Sequence, residues 1–268
     1  MQRKKLFALY AVLSSLVFTN ASGSIPAHAA QINQAVAVSS VSNDVTTAKE
    51  EVTLTKATIK KYSKKYTYKN KNKKVVMEAV YNRPVLKGNF DSLKKINKFY
   101  EKQEKEWLRS FENYLDDAKE FSEEGDFPIY NDNVSYEVTY NQKGYLSIVT
   151  SGYFYTGGAH GTPYTDAHTF DLNTGKELKL TDIMKGSDKT IKNKIYKAFE
   201  KKIKANKEAY FSDALKTVKE TAGKKSNFYL KKGKICFYYD VYALAPYAAG
   251  MVEASIPFTS KDTFKIAF

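Results

Sequence analysis

Two periods of hydrophobic and polar positions run along this chain, and they divide it into strands and helices. Residues 53–61 alternate weakly and Val75–Tyr81 alternate clearly, so both read as strands, the second ending at Arg83-Pro84. From Asp91 the period changes. Leu93, Ile96, Phe99, Tyr100, Trp107, Leu108, Phe111, Tyr114, Leu115 and Ala118 recur at spacings of mostly three and four, which predicts one helix with a single buried stripe and Asp91 as its N-cap. Trp107 falls on that stripe and reads as core rather than as a platform for sugar stacking.

Alternation returns at Val134–Tyr140 and at Tyr145–Tyr155, with a turn through Asn141–Gly144 between them, a hairpin pattern. A glycine-rich bend follows, then a strand over Ala167–Leu172, a turn at Asn173-Thr174-Gly175, and further apolar alternation through Leu178, Leu180 and Ile183. Ser187 caps a second helix, whose inner face is Ile191, Ile195, Phe199 and Ile203, with a break expected near Asn206. A last hairpin spans Phe228–Leu230 and Ile235–Tyr242, and short strands are expected at Met251–Phe258 and Phe264–Phe268. Strands in adjacent runs with helices between them predict an α+β fold: a mostly antiparallel sheet with two main helices packed on it.

The most distinctive stretch is the bend. Tyr153-Phe154-Tyr155 leads into Gly157-Gly158, then His160-Gly161, with Tyr164 just beyond. Glycine tolerates backbone conformations closed to other residues, so this loop has a shape that few sequences adopt. Tyrosines on either side offer rigid apolar faces with polar tips, a composition suited to gripping another molecule. Tyr153, Tyr155, Gly157, Gly158, His160 and Tyr164 are therefore the candidate ligand-binding residues. The plainer role for His160 is to tie the loop together through its ring nitrogens.

Composition changes the picture at the N-terminus. Arg3, Lys4 and Lys5 precede an apolar run from Leu6 to Phe18, and Ala27-His28-Ala29 has the small-x-small pattern of a cleavage site. Residues 1–29 read as a signal peptide and residues 30–51, without periodicity or aromatic residues, as a flexible linker. The expected location is secreted or wall-associated, in a Gram-positive bacterium, with no stable membrane insertion after cleavage. The single cysteine, Cys236, lies in an alternating strand and reads as a buried, inert thiol. The formal net charge is +14, and the leader carries three of the basic residues. About +11 remains on the exported chain, a field that favours polyanions such as wall polymers, while nucleic acid is excluded as a partner by export and by the lack of a recognition motif. Nine lysines and no acid fall between Lys56 and Lys74, with Tyr62, Tyr66 and Tyr68 interleaved. A lysine-protected edge strand accounts for that pattern better than a polymer grip does.

The reactive chemistry is sparse. His160, Asp166 and His168 make a two-histidine, one-carboxylate set, the alternative basis for a metal-dependent hydrolase acting on wall glycan. No H-E-x-x-H or G-x-S-x-G pattern supports hydrolysis. No catalytic residue, resident metal or cofactor is therefore expected.

TGGAHG followed by FDLNTGKELKLTDI, together with the late stretch YDVYALAPYAAGMVEASIPF, resembles an extracytoplasmic domain of unknown function. That domain is found in RsiV-type lysozyme-sensing anti-sigma factors and beside PdaC-type peptidoglycan deacetylases. YNRPVLKGNFDSLKKINKFYEK resembles the smaller domain that usually precedes it. The resemblance implies a smaller α+β domain over 52–130 and a C-terminal α+β domain over 131–268. It also implies a non-catalytic binding or sensor-like module of the cell envelope, with a cell-wall polymer or a wall-active protein such as lysozyme as partner. A strongly basic lysozyme would be repelled by the net charge unless its docking patch were acidic.

Overall fold

The computed structural model describes residues 53–123, 125, 127–223 and 227–268, so the expected leader and linker lie outside the described residues. Thr53–Phe268 forms one compact unit. It contains two sheets. The larger has five strands in the order β1 (Thr58–Lys69), β2 (Val75–Lys87), β3 (Tyr130–Gln142), β4 (Tyr145–Tyr155) and β5 (Thr162–Asp171). All its pairings are antiparallel except β2 with β3. A parallel pair needs a crossover, supplied here by α1 (Asp91–Glu112) and α2 (Leu115–Phe121). The strand that opens at Tyr130 is thus hydrogen-bonded to one that precedes it by a helical connection, and the sheet runs continuously through the 130/131 position.

The smaller sheet is antiparallel, in the order β6 (Phe228–Lys231), β7 (Lys234–Tyr239), β8 (Val252–Pro257). Its side chains alternate between two neighbours. Phe228, Leu230, Ile235, Phe237, Val252 and Ala254 meet Ile191, Ile195, Phe199 and Ile203 of α4 (Asp188–Ala205) and Val218 of α5 (Ala214–Thr221). Tyr229, Cys236 and Tyr238 meet Val149 of β4 and Ala167 of β5. The layers run helix, sheet, sheet, helix, which is the expected α+β class with two main helices, α1 and α4. No helix among the described residues is long and apolar enough to cross a membrane.

Several local expectations are corrected. β2 runs through Pro84 instead of ending there. Its pairing with β3 stops at Tyr81, and Asn97 of α1 bonds both the N–H and the C=O of Leu86, at 2.8 and 2.9 Å. Leu86 therefore turns its backbone away from β1, and Pro84, two residues earlier, turns the same way, where no strand needs its missing N–H. Asp91 is the first helical residue rather than the cap, which is Phe90 with no side-chain bond. The long first helix is broken at Asn113-Tyr114, where the Tyr114 N–H closes onto the Phe111 carbonyl three residues back, and Tyr114 packs on Phe154 at 4.7 Å. The alternation at Leu178–Ile183 is not a strand. Asp182 accepts from the Lys179 N–H at 2.8 Å and folds Leu180–Ile183 into a single helical turn, α3. Phe264–Phe268 forms only an isolated bridge to Met184 and packs by its rings, Phe268 stacking on Phe258 at 3.7 Å. The Ser187 cap is present, accepting from the Thr190 N–H at 3.3 Å, and α4 ends at Asn206 as expected.

Candidate functional site

The glycine-rich bend joins β4 to β5 as two adjacent antiparallel strands, with Phe154 paired to Thr162. Gly157 and Gly158 have φ of +101° and +90°, the left-handed region in which a Cβ is strained. The Tyr155 hydroxyl donates to the Gly158 carbonyl at 3.1 Å and the Gly161 N–H donates to the Tyr153 hydroxyl at 2.7 Å. The His160 ring is exposed, and its Nδ1 lies 2.9 Å from the Gly161 carbonyl. A carbonyl only accepts, so Nδ1 carries the hydrogen. His160 thus does bind the loop's backbone, though on the outside of the protein rather than in its core.

A second segment completes this surface. After β7, Tyr242 and the 3-10 turn Tyr247–Ala249 approach the bend. The Tyr247 ring stacks on His160 with centroids 4.2 Å apart and planes 23° apart, and its hydroxyl donates to the Gly161 carbonyl at 3.2 Å. Tyr242 lies 5.6 Å from Tyr247, is 56 % exposed, and has φ +64°. A bulky side chain held in the left-handed region is an outlier, and such strain gathers at binding and catalytic sites. Tyr153, His160, Tyr242 and Tyr247 together form an exposed aromatic platform. Tyr242 and Tyr247 were not singled out in the sequence; their signal was two tyrosines in a Pro- and Gly-containing loop, YALAPYAAG.

Tyr164 does not join the platform. It lies at an even position of β5, on the α1 side of the sheet, and packs across Gly152, where a Cβ would come within 2.0 Å of its ring. Its hydroxyl donates to Asp132 Oδ2 at 2.9 Å, and Trp107 Nε1 donates to the same oxygen at 2.9 Å. Burial pushes the Asp132 carboxyl up, opposed by these two donors. Tyr164 thus belongs to a buried polar centre that joins α1, β3 and β5.

His160, Asp166 and His168 do not converge. His160 precedes β5, whereas His168 lies six strand residues beyond Thr162, roughly 20 Å along an extended chain. His168 Nε2 lies 2.8 Å from Asp166 and its Nδ1 2.5 Å from Glu177, with Phe99 of α1 edge-on at 4.6 Å. Carboxylates only accept, so both ring nitrogens are protonated. Burial opposes that positive charge, and the two carboxylates overcome it, pushing the imidazole up to about 10. A ring with both nitrogens committed has no lone pair for a metal. No group of three His, Cys, Asp or Glu side chains placed to hold a metal occurs among the described residues. Cys236 is buried, and burial pushes its thiol up to about 12, matching the inert role expected for it.

Residues 70–162 match the family model described as Deacetylase PdaC, and residues 181–259 match that described as Protein of unknown function (DUF3298). Over 117 residues the chain is 34 % identical to the peptidoglycan-N-acetylmuramic acid deacetylase PdaC of Bacillus subtilis (strain 168), covering 42 % of this chain and 24 % of that relative. The chain thus spans about a quarter of the relative's length. Two solved DUF3298 family structures share the fold at 21 % identity: one from Bacteroides fragilis NCTC 9343 with a TM-score of 0.59, one from Pseudomonas aeruginosa PAO1 with 0.57. Each superposition covers 80 % of this chain and 96 % of the other. The chain has the architecture of a PdaC-like segment followed by a DUF3298 segment.

Proposed function

We propose that this chain is a non-catalytic binding module of the bacterial cell envelope, working outside the cytoplasm, and that its ligand is a cell-wall polymer held on the aromatic platform. The observation that carries this reading is the stack of exposed His160 on Tyr247 beside strained, exposed Tyr242. The bend belongs to the PdaC-like segment and Tyr242 and Tyr247 to the DUF3298 segment, so the platform exists only where both are present. Exposed aromatic faces with polar tips suit sugar rings and wall polymers, and the name of the Bacillus relative points to peptidoglycan. The deacetylase activity in that name belongs to a protein about four times longer than the matched stretch, and the two histidines of the alternative hydrolase site stand far apart.

The test is retention of the purified exported chain on intact cell-wall sacculi, on purified glycan strands and on immobilised lysozyme, at modest salt. Retention on wall material that falls at least tenfold with Tyr247→Ala supports the reading. Retention on lysozyme alone replaces the polymer with a wall-active protein as ligand. No retention on any of the three contradicts the binding role.

A further inference from the structure

Between the β1–β2 hairpin and α1 lies a cleft of about 280 Å³, close in size to the smallest pockets that hold small molecules. Arg83 of β2 lines it, and that side chain is only 11 % exposed. Its guanidinium is fixed from two sides. It lies over the ring of Tyr62, its partner in the β1–β2 register, with the guanidinium carbon 4.2 Å from the ring centre. Its Nε donates to Glu104 Oε2 at 2.8 Å, and the Tyr66 hydroxyl holds Glu104 in turn at 2.7 Å. A guanidinium carries five N–H donors in a planar fork. Among the described residues, Nε alone of the Arg83 nitrogens has a hydrogen-bond acceptor. Glu101, half exposed, lies 3.9 Å from Nη2, too far for a hydrogen bond. The end-on pair, Nη1 and Nη2, is thus positioned by the fold and left unspent, although donors on so buried a side chain are ordinarily satisfied.

The charge around the cleft says what would satisfy that fork. Lys64 and Lys105 also line it, both exposed, and neither makes an ion pair among the described residues. With Arg83 they set three cations against Glu101 and Glu104, which leaves one positive charge unmatched. A singly charged anion balances the site, whereas a doubly charged phosphate monoester would meet two glutamates. The end of a guanidinium takes a carboxylate through two parallel hydrogen bonds. Leu108 of α1 gives the ligand's body an apolar wall. We infer that this cleft binds a carboxylate, borne by a sugar acid or by the C-terminus of a short peptide. Arg83 is its fork, Lys64 and Lys105 flank it, and Glu101 is the resident counter-ion that the ligand displaces. No residue of the aromatic platform lines the cleft, so this is a second site, independent of the first.

The probes are N-acetylmuramic acid with its neutral counterpart N-acetylglucosamine, and N-acetyl-alanyl-alanine with its C-terminal amide, titrated calorimetrically into the full chain. At least one acid is expected to bind about tenfold or more tightly than its neutral counterpart, and the one that does so identifies the source of the carboxylate. Arg83→Lys keeps a charge facing Glu104 but removes the fork, and is expected to weaken that acid about tenfold or more. Two exposed positions on α1 serve as variants that spare the fold. Lys105→Glu is expected to weaken the acid about tenfold and Glu101→Gln to strengthen it about threefold, both with the melting temperature unchanged. Acids that bind no better than their neutral counterparts, or whose binding neither α1 variant alters, overturn the proposal. Binding that is lost in Tyr247→Ala and kept in Lys105→Glu puts the carboxylate on the platform and overturns it too. Dimethyl phosphate that binds as tightly as the acid overturns the carboxylate class. Sacculus retention through Tyr247 is a separate measurement, so none of these results decides the platform reading.

Discussion

His168 has an environment that a loop-spacing argument does not reveal. Glu177, beyond the Asn173–Gly175 turn, supplies the second carboxylate, and it reaches His168 because β5 turns back on itself with Phe170 bridged to Glu177. The folded-state pKa is raised to about 10 from an unfolded value near 6.5. The resulting stabilisation is therefore complete below about pH 6.5 and is lost as pH rises through about 10. Asp166, held below its usual range by His168 although burial works against this, adds stability that is lost as pH falls. With both carboxylates about half exposed, His168→Gln should cost about 1–3 kcal/mol in urea unfolding at pH 7. The difference between wild type and variant should vanish by about pH 11; a constant difference from pH 6 to 11 would mean that packing on Phe99 alone is responsible. The Cys236 thiol should stay unreactive towards a disulfide reagent at pH 8 until the protein is unfolded. Reaction in the native state would show that the β6–β8 layer opens.

Among the elements, the tie between the β1–β2 hairpin and α1 is the one most exposed to single changes. Glu104, on the buried stripe of α1, accepts from Arg83 at 2.8 Å and from the Tyr66 hydroxyl at 2.7 Å. Both side chains of the ion pair are 11 % exposed. Removing one partner strands the other charge, so Glu104→Ala should cost about 3 kcal/mol or more, while Arg83→Met with Glu104→Met should cost much less than the two single changes summed. Equal costs in thermal unfolding would place the pair in solvent. The helical period identified this stripe but not its polar member, because an acid at a core position looks like an interruption until its partners, twenty-one and thirty-eight residues away, are known. The same limit explains Leu178–Ile183, where alternation looked like a strand and a local Asp182 bond decided otherwise. Patterns that depend on one element were legible: β4 matched residue for residue, and the α4 stripe and its Ser187 cap were as expected. Edge position also followed from sequence, since lysine-rich β1 is a terminal strand of its sheet.

For the molecule as a whole, the layered arrangement brings two loops distant in sequence to one surface. The bend was visible from its glycines, whereas Tyr242 and Tyr247 carried only the faint mark of tyrosines in a Pro- and Gly-containing loop and became significant only where the second sheet placed them beside His160. Tyr164 shows the converse: near the bend in sequence, it is drawn inward by the period of β5. Since the platform is built on loops outside the main cores, Tyr247→Ala should shift the melting temperature by only a few degrees. The most direct test of the account is therefore retention on purified cell-wall sacculi of the wild-type chain beside the folded Tyr247→Ala variant. The account predicts firm retention of the first and at least tenfold weaker retention of the second. Equal retention of the two, or none for the wild type, would contradict it.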